Sequence, residues 1–123
     1  MTKVRSDRGL AARSSGRRAE VWAAIWLMLR GYRILGFRLK TPQAEIDLLA
    51  VKGQVLAVVE VKRRTSLTAA LEAVNYDQRE RLRRAGRNLA SKRPALQDKA
   101  VRLDLIAMAP GQWPKHCPDA WAE

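Results

Sequence analysis

The stretch from Gln43 to Arg64, QAEIDLLAVKGQVLAVVEVKRR, decides the fold that the sequence predicts. It contains two apolar runs on either side of Lys52-Gly53-Gln54, which predicts two strands joined by a tight turn. Strands this rich in Val, Leu and Ala are typical of the middle of a domain, where a charge is costly unless it is paired or used. Because side chains two apart on a strand point the same way, Glu60 and Lys62 share one face, and the hairpin can bring Asp47 beside them.

These three charged side chains predict a metal site with a lysine next to it. Asp47 and Glu60 are the candidate ligands for Mg²⁺ or Mn²⁺, with the backbone carbonyl of Val61 as a further ligand, because such ions prefer oxygen. Lys62 can orient a water or neutralise a phosphate. This division of roles favours hydrolysis of a phosphodiester bond. An E-x-K pattern by itself is more often a surface ion pair, so the pattern depends on Asp47.

The charge of the chain is far from balanced. Its 123 residues include 24 Lys and Arg against 12 Asp and Glu, a formal net charge of +12. A basic excess of this size is typical of a domain that binds a polyanion, and it favours nucleic acid over a mere solubility surplus. The length fits one domain with its own core, so we predict a flexible basic arm over residues 1–15 and a single domain over residues 16–123.

Cysteine usage and the apolar runs exclude several other classes of protein. Cys117 is the only cysteine, so no internal disulfide can form, and because His116 is the only histidine a zinc site is not expected. The most apolar run, Val21 to Leu29, is too short to cross a bilayer, and no signal peptide precedes it. The sequence therefore predicts a cytoplasmic protein with no membrane partner.

The order of elements, α-β-β-β-α-β, predicts an α/β fold in which a mixed β-sheet is flanked by helices. A further edge strand is predicted around Ala120. The main elements are a helix from Gly16 to Arg30, a strand from Tyr32 to Lys40, the hairpin from Glu45 to Lys62, a short helix from Leu67 to Val74, a helix from Asp77 to Ser91 and a strand from Ala100 to Met108.

The first helix carries an apolar stripe and a single acidic residue. The stripe predicts a buried face in which Trp22 and Trp26 are core anchors rather than a base-stacking platform. Glu20 has two interpretations, a solvated ion pair with Arg17 or a distal metal or water ligand. The stripe consists of Val21, Trp22, Ile25, Trp26 and Leu29, and the corresponding buried stripe of the long helix of Leu82, Ala85, Gly86, Leu89 and Ala90.

Four motifs carry a resemblance to a known family: Gly16-Arg17-Arg18-Ala19-Glu20, Ala44-Glu45-Ile46-Asp47-Leu48-Leu49-Ala50, Val59-Glu60-Val61-Lys62-Arg63-Arg64 and Arg102-Leu103-Asp104. Together they resemble the YraN-type family of small bacterial proteins, within the PD-(D/E)XK superfamily of restriction-endonuclease-like nucleases, and are similar to archaeal Holliday-junction resolvases. The resemblance covers roughly Gly16 to Met108. The chain departs from the family pattern at Ala44, where Gly is usual, and at Gln78, where Lys is usual.

The resemblance implies a restriction-endonuclease-like core and a metal-dependent endonuclease that acts on DNA, including branched or junction DNA. A homodimer would suit symmetrical cutting of a junction. The alternatives are a non-catalytic nucleic-acid-binding module that keeps the fold, and a basic structural protein. The implied tetrad is Glu20, Asp47, Glu60 and Lys62, with Glu45 just outside it. The candidate nucleic-acid contacts are Arg17, Arg18, Arg63, Arg64, Arg81 and Arg84, although the arginines of the long helix also fit a solvated face.

Overall fold

The computed structural model describes residues 17–122, so the predicted arm over residues 1–15 lies outside the described residues. Within these described residues, five strands form one open sheet in the order β1-β2-β3-β4-β5. The strands are β1 (Arg33–Lys40), β2 (Glu45–Lys52), β3 (Val55–Arg63), β4 (Ala100–Met108) and β5 (Lys115–Cys117), and the helices are α1 (residues 17–29), α2 (Leu67–Glu72) and α3 (Tyr76–Lys92).

The sheet is mixed, as the sequence predicts. β3 and β4 are parallel, and the other neighbouring pairs are antiparallel. Parallel neighbours need a long crossover, which here carries α2, α3 and a 3-10 turn at Pro94–Leu96. The prediction of an α/β chain with a mixed sheet and helices is therefore confirmed. Within residues 17–122, no helix is both long enough and apolar enough to span a membrane.

Helix α1 covers one face of the sheet and α3 covers the other. Helix α3 packs on its face through residues of the predicted stripe. Leu82, Ala85 and Ala90 of α3 are buried in one apolar cluster with Val58 of β3. The approach is so close that a Cβ on Gly86 would lie 2.6 Å from a methyl group of Val58. Small residues at this crossing are therefore required by the spacing between helix and sheet.

The buried face of α1 was predicted wrongly. The helix turns its small residues to the sheet and leaves the predicted stripe largely in solvent, with Trp22 59% exposed and Leu29 76% exposed. The opposing sheet surface includes Ala50 and Ala57, and alanines on both sides let the helix approach closely. The buried residues of α1 are Ala19, Ala23, Ala24 and Leu27, whereas Val21, Trp22, Ile25, Met28 and Leu29 are exposed.

The C-terminal tail, from Ala109 onward, forms its strand earlier than predicted. β5 pairs with β4 through residues 115–117, and Pro114 and Pro118 bracket it, because proline cannot donate a ladder hydrogen bond. Near the predicted position, the Ala120 N–H donates a single hydrogen bond of 3.2 Å to the carbonyl of Leu103, without forming a strand.

Candidate active site

The pleat of β2 breaks at Asp47, and the break aims its carboxylate at β3. Ile46 packs with the cluster under α3 and Leu48 with the cluster under α1, although residues two apart on a regular strand face the same side. The β2–β3 pairing reaches Leu48 opposite Val59. Beyond it, the N–H of Val61 donates a 2.9 Å hydrogen bond to Oδ2 of Asp47 instead of to the β2 backbone.

This bond brings Asp47 beside Glu60, the residue before Val61, and both carboxyl groups lie in a poorly hydrated place. Glu60 is only 3% exposed. Burial, and then the negative charge of Asp47, raise the pKa of Glu60 from 4.5 to about 8. Burial also raises the pKa of Asp47, against the opposing effect of the Val61 hydrogen bond. The pair therefore resists carrying two negative charges without a cation close by.

The lysine next to the pair is an incomplete partner. Lys62 Nζ lies 3.9 Å from Oε2 of Glu60, which is an ion pair but too long for a hydrogen bond. The second oxygen of Glu60, Oε1, is buried and has no hydrogen-bond partner within residues 17–122. Unsatisfied buried oxygens are rare in native proteins, and each one calls for an explanation.

A divalent cation fits this chemistry. An unpartnered carboxylate oxygen beside a second carboxylate offers the hard oxygen ligands that Mg²⁺ and Mn²⁺ take. No group of three or more His, Cys, Asp or Glu side chains with metal-binding spacing occurs within residues 17–122. The side-chain ligands on offer are therefore Asp47 and Glu60, and water or the Val61 carbonyl would have to complete the shell.

Glu20 reaches the neighbourhood of the site from α1, paired with an arginine that the sequence did not indicate. Arg38 Nε of β1 donates a 2.7 Å hydrogen bond to Oε2 of Glu20, so the partner is Arg38 and not the Arg17 of the ion-pair interpretation. Arg38 has a left-handed backbone (φ 48°), which a non-glycine residue seldom adopts. The charge of Glu20 contributes to the raised pKa of both Asp47 and Glu60.

The remaining predicted residues divide between the two faces of the sheet. Arg18 of α1 and Arg63 at the end of β3 line one pocket of about 220 Å³. Arg81 and Arg84 are exposed on α3, which covers the opposite face. Glu45, at the exposed start of β2, acts through its charge on the pKa of Asp47. Arg17 and Arg64 are also exposed.

A second buried carboxylate, Asp104 of β4, belongs to the Arg102-Leu103-Asp104 motif, but no functional role was predicted for it. Its oxygens accept hydrogen bonds from Arg102 (2.8 and 2.9 Å), from Nε2 of His116 (2.8 Å) and from the N–H of Asp119 (2.9 Å). Burial alone would raise the pKa of Asp104, but the bonds from His116 and Arg102 hold it below its usual value. Residues two apart on a strand share a face, so a strand from Ala100 to Met108 puts Arg102 beside Asp104, whereas no pattern after Met108 indicates His116.

The comparisons with known proteins identify the family. A model of the "Uncharacterised protein family UPF0102" matches residues 19–108. A UPF0102 protein of Caulobacter vibrioides (strain NA1000 / CB15N) is 68% identical over 118 residues, covering 96% of this chain and 94% of that protein. A UPF0102 protein of Parvibaculum lavamentivorans is 47% identical over 113 residues, covering 92% and 85%. The chain therefore belongs to the UPF0102 family, the YraN-like proteins that its motifs resemble.

Proposed function

We propose that this protein is a metal-dependent endonuclease that hydrolyses phosphodiester bonds in DNA, with Mg²⁺ or Mn²⁺ held by Asp47 and Glu60. The observation that carries the proposal is the buried Oε1 of Glu60, which finds no hydrogen-bond partner in the described part of the chain although a second carboxylate lies beside it. A protein that only binds nucleic acid gains nothing from such a pair, because carboxylates repel phosphates unless a cation intervenes.

Each residue of the site has a distinct task in this proposal. When bound, the cation would lower the pKa of a water molecule and offset charge on the phosphate. The Val61 N–H holds the Asp47 carboxylate in place, and the Val61 carbonyl is a further candidate ligand. Lys62, 23% exposed at its side chain, is anchored near Glu60 but still reaches solvent, where it can bind the scissile phosphate or orient the attacking water.

Glu20 and the arginines would serve the same reaction from outside the ligand pair. The 2.7 Å contact between Arg38 and Glu20 supports a positioning role for Glu20. Arg18 and Arg63 share a pocket at the end of β3, next to Lys62 in the chain, so they are placed to hold the DNA backbone. Arg17 and Arg64, the exposed neighbours of Arg18 and Arg63 in the chain, would extend this basic surface, and the resemblance to restriction-endonuclease-like nucleases supports the same assignment. A homodimer would present two such sites to a symmetrical junction.

Cleavage of a substrate panel tests the proposal. Duplex, flap, four-way junction, single-stranded DNA and RNA are incubated with Mg²⁺ or Mn²⁺, using the wild-type protein and the variants Asp47→Ala and Lys62→Ala. We expect at least one DNA substrate to be cut, and each substitution to lower the rate by roughly 100-fold or more while DNA binding changes little. Glu72→Ala, which removes an exposed carboxylate on α2, is the matched control and should cut like the wild type.

The panel separates the rival functions. Cleavage that persists in both site variants would rule out the proposed mechanism. Binding without cleavage of any substrate would favour the alternative, a nucleic-acid-binding module that keeps the fold.

The exposed arginines of α3 are tested by binding alone. We expect the double variant Arg81→Ala/Arg84→Ala to weaken binding equally for different DNA sequences and to flatten the dependence of affinity on salt. An unchanged salt slope would place the DNA elsewhere.

A further inference from the structure

The face of α1 that was predicted to be buried carries a row of alternating chemistry. Arg18, Trp22, Trp26 and Arg30 follow one another at intervals of four residues, so they lie one above the other on one side of the helix. Trp22 is 59% exposed. At a rise of about 1.5 Å per residue the row is about 18 Å long. We call these four residues the α1 row.

The α1 row connects the two ends of the sheet. At one end, Arg18 and Trp22 line the pocket shared with Arg63, next to Lys62 in the chain. At the other end, Trp26 and Arg30 line a larger pocket of about 560 Å³, beside the β2–β3 turn. A volume of this size is within the range of pockets that hold a small ligand. The other residues that line the larger pocket include Tyr32, Lys52, Lys115 and His116.

Cations and aromatic rings are stacked on one another in the larger pocket and, through Trp113, beside it. The guanidinium of Arg30 lies 3.8 Å from the ring centroid of Trp26. Trp113 stacks on Trp26 with 5.9 Å between centroids and 24° between planes, and yet Trp113 is 80% exposed. Lys52 Nζ lies 5.3 Å from the ring centroid of Tyr32. The stack therefore ends in an aromatic ring that is open to solvent.

We propose that the α1 row and the larger pocket bind a single-stranded segment of nucleic acid. Unpaired bases would stack on Trp22 and Trp113, and their phosphates would contact Arg18, Arg30 and Lys52. Exposed aromatic rings interleaved with cations are how proteins hold single strands without reading their sequence. The proposal deepens the proposed function, and it rests on that function for the claim that this strand continues into the DNA that is cut at Asp47 and Glu60.

Charge distinguishes this occupant from a second copy of the chain. A two-fold contact between copies pairs the same surface with itself. Such a contact would bring the cations of the α1 row and of the larger pocket against their own copies, and like charges destabilise it. A polyanion faces no such repulsion, and it matches the formal net charge of +12.

Binding in EDTA tests the proposal independently of cleavage. The affinity of the full chain for a fluorescent oligothymidylate of about 15 nucleotides, which spans a typical single-strand site, is measured by anisotropy beside a duplex of equal length. We expect Trp22→Ala and Trp113→Ala each to weaken single-strand binding roughly 5-fold to 100-fold, and duplex binding by less than about 2-fold. Met28→Ala is the matched control, because Met28 is 51% exposed on the same helix but roughly a third of a turn away.

Three results would overturn the proposal. The first is that Trp22→Ala and Trp113→Ala both bind the single strand as tightly as the control variant Met28→Ala does. The second is equal loss of single-strand and duplex affinity. The third is a Trp22→Ala protein that sediments as a smaller species than the wild type and keeps its affinity, which would assign the face to a contact between copies. Absence of cleavage in the substrate panel would contradict the proposed endonuclease function. It would leave the single-strand binding proposal unaffected, because binding is measured in EDTA.

The cleavage arm then tests the link between the two sites. We expect the wild type to cut a substrate with a single-stranded arm faster than a blunt duplex, and Trp113→Ala to lose that preference while still cutting the duplex. A preference that survives in Trp113→Ala would separate the single-strand surface from the cutting site and would contradict the link.

Discussion

Two buried carboxylates on neighbouring strands have opposite surroundings. Asp104 of β4 is fully buried, and both of its oxygens accept hydrogen bonds, from Arg102, His116 and the backbone of Asp119. Glu60 of β3 is 3% exposed, but none of the residues that the structure describes gives its Oε1 a hydrogen bond, and Lys62 Nζ stays 3.9 Å from its Oε2.

The difference shows that burial by itself does not decide what a carboxylate is for. Burial raises the pKa at both positions, yet the pKa of Asp104 ends below its ordinary value and that of Glu60 ends at about 8. Donors from the chain satisfy Asp104, so it fastens β4 to the tail. Glu60 is left without enough donors and beside a second carboxylate, an arrangement that a bound cation would complete.

Removing the satisfied carboxylate should have the largest effect on stability. We expect Asp104→Ala to lower the free energy of unfolding by roughly 3–5 kcal/mol, because a buried charge network loses its centre. The lowered pKa of Asp104 means that this contribution is present above its ordinary value of 3.8 and is lost as the pH falls below it. Urea unfolding measures the loss, with Glu72→Ala as the control; a loss under about 1 kcal/mol would contradict the network.

Neutralising the unsatisfied carboxylate should act in the opposite direction. In EDTA, we expect Glu60→Gln to raise the free energy of unfolding by roughly 1–3 kcal/mol at about pH 8.5, because the ionised group no longer has to be buried, while the buried amide offsets part of the gain.

The pH dependence of this effect has a definite sign. The folded pKa of about 8 lies above the ordinary 4.5, so folding favours the protonated form, and the wild type loses stability as the pH rises through this window. The advantage of Glu60→Gln should therefore grow from about pH 5 to about pH 8.5 in urea unfolding. An advantage that does not change with pH would contradict the account.

The partly exposed ion pair between Glu20 and Arg38 should give the smallest effect. The side chain of Arg38 is 34% exposed, against 12% for Glu20, so we expect Arg38→Gln to lower the free energy of unfolding by less than about 1 kcal/mol. Arginine and glutamine are both non-glycine residues, so we expect the cost of the left-handed backbone at residue 38 to be the same in the wild type and in Arg38→Gln. A loss above about 2 kcal/mol in the same unfolding assay would make Glu20 a structural group like Asp104.

The sequence predicted those parts of the fold that follow from local pattern. Strand alternation placed Glu60 and Lys62 on one face, and the 3.9 Å contact agrees with it. The apolar spacing of α3 predicted its buried residues, of which Leu82 and Ala85 are among the most deeply buried. That the predicted site residues act in catalysis remains a prediction.

The predictions that were wrong or missing concern contacts with parts of the chain that are distant in sequence. Hydropathy ranks Trp22 above Ala23, but the sheet opposite α1 presents Ala50 and Ala57, so the alanine face packs and the tryptophan face does not. In the same way, His116 lies twelve residues after Asp104 and reaches it only because of the path that the C-terminal tail takes. The tail has no periodic pattern from which this path could be predicted.

Calorimetric titration of the nucleic-acid-free protein with Mn²⁺ measures directly whether Asp47 and Glu60 hold a divalent cation. We expect binding at the Asp47–Glu60 pair, loss of that binding in Asp47→Asn, and unchanged binding in Glu72→Ala. Equal binding by the wild type and Asp47→Asn, or no binding by the wild type, would contradict this expectation.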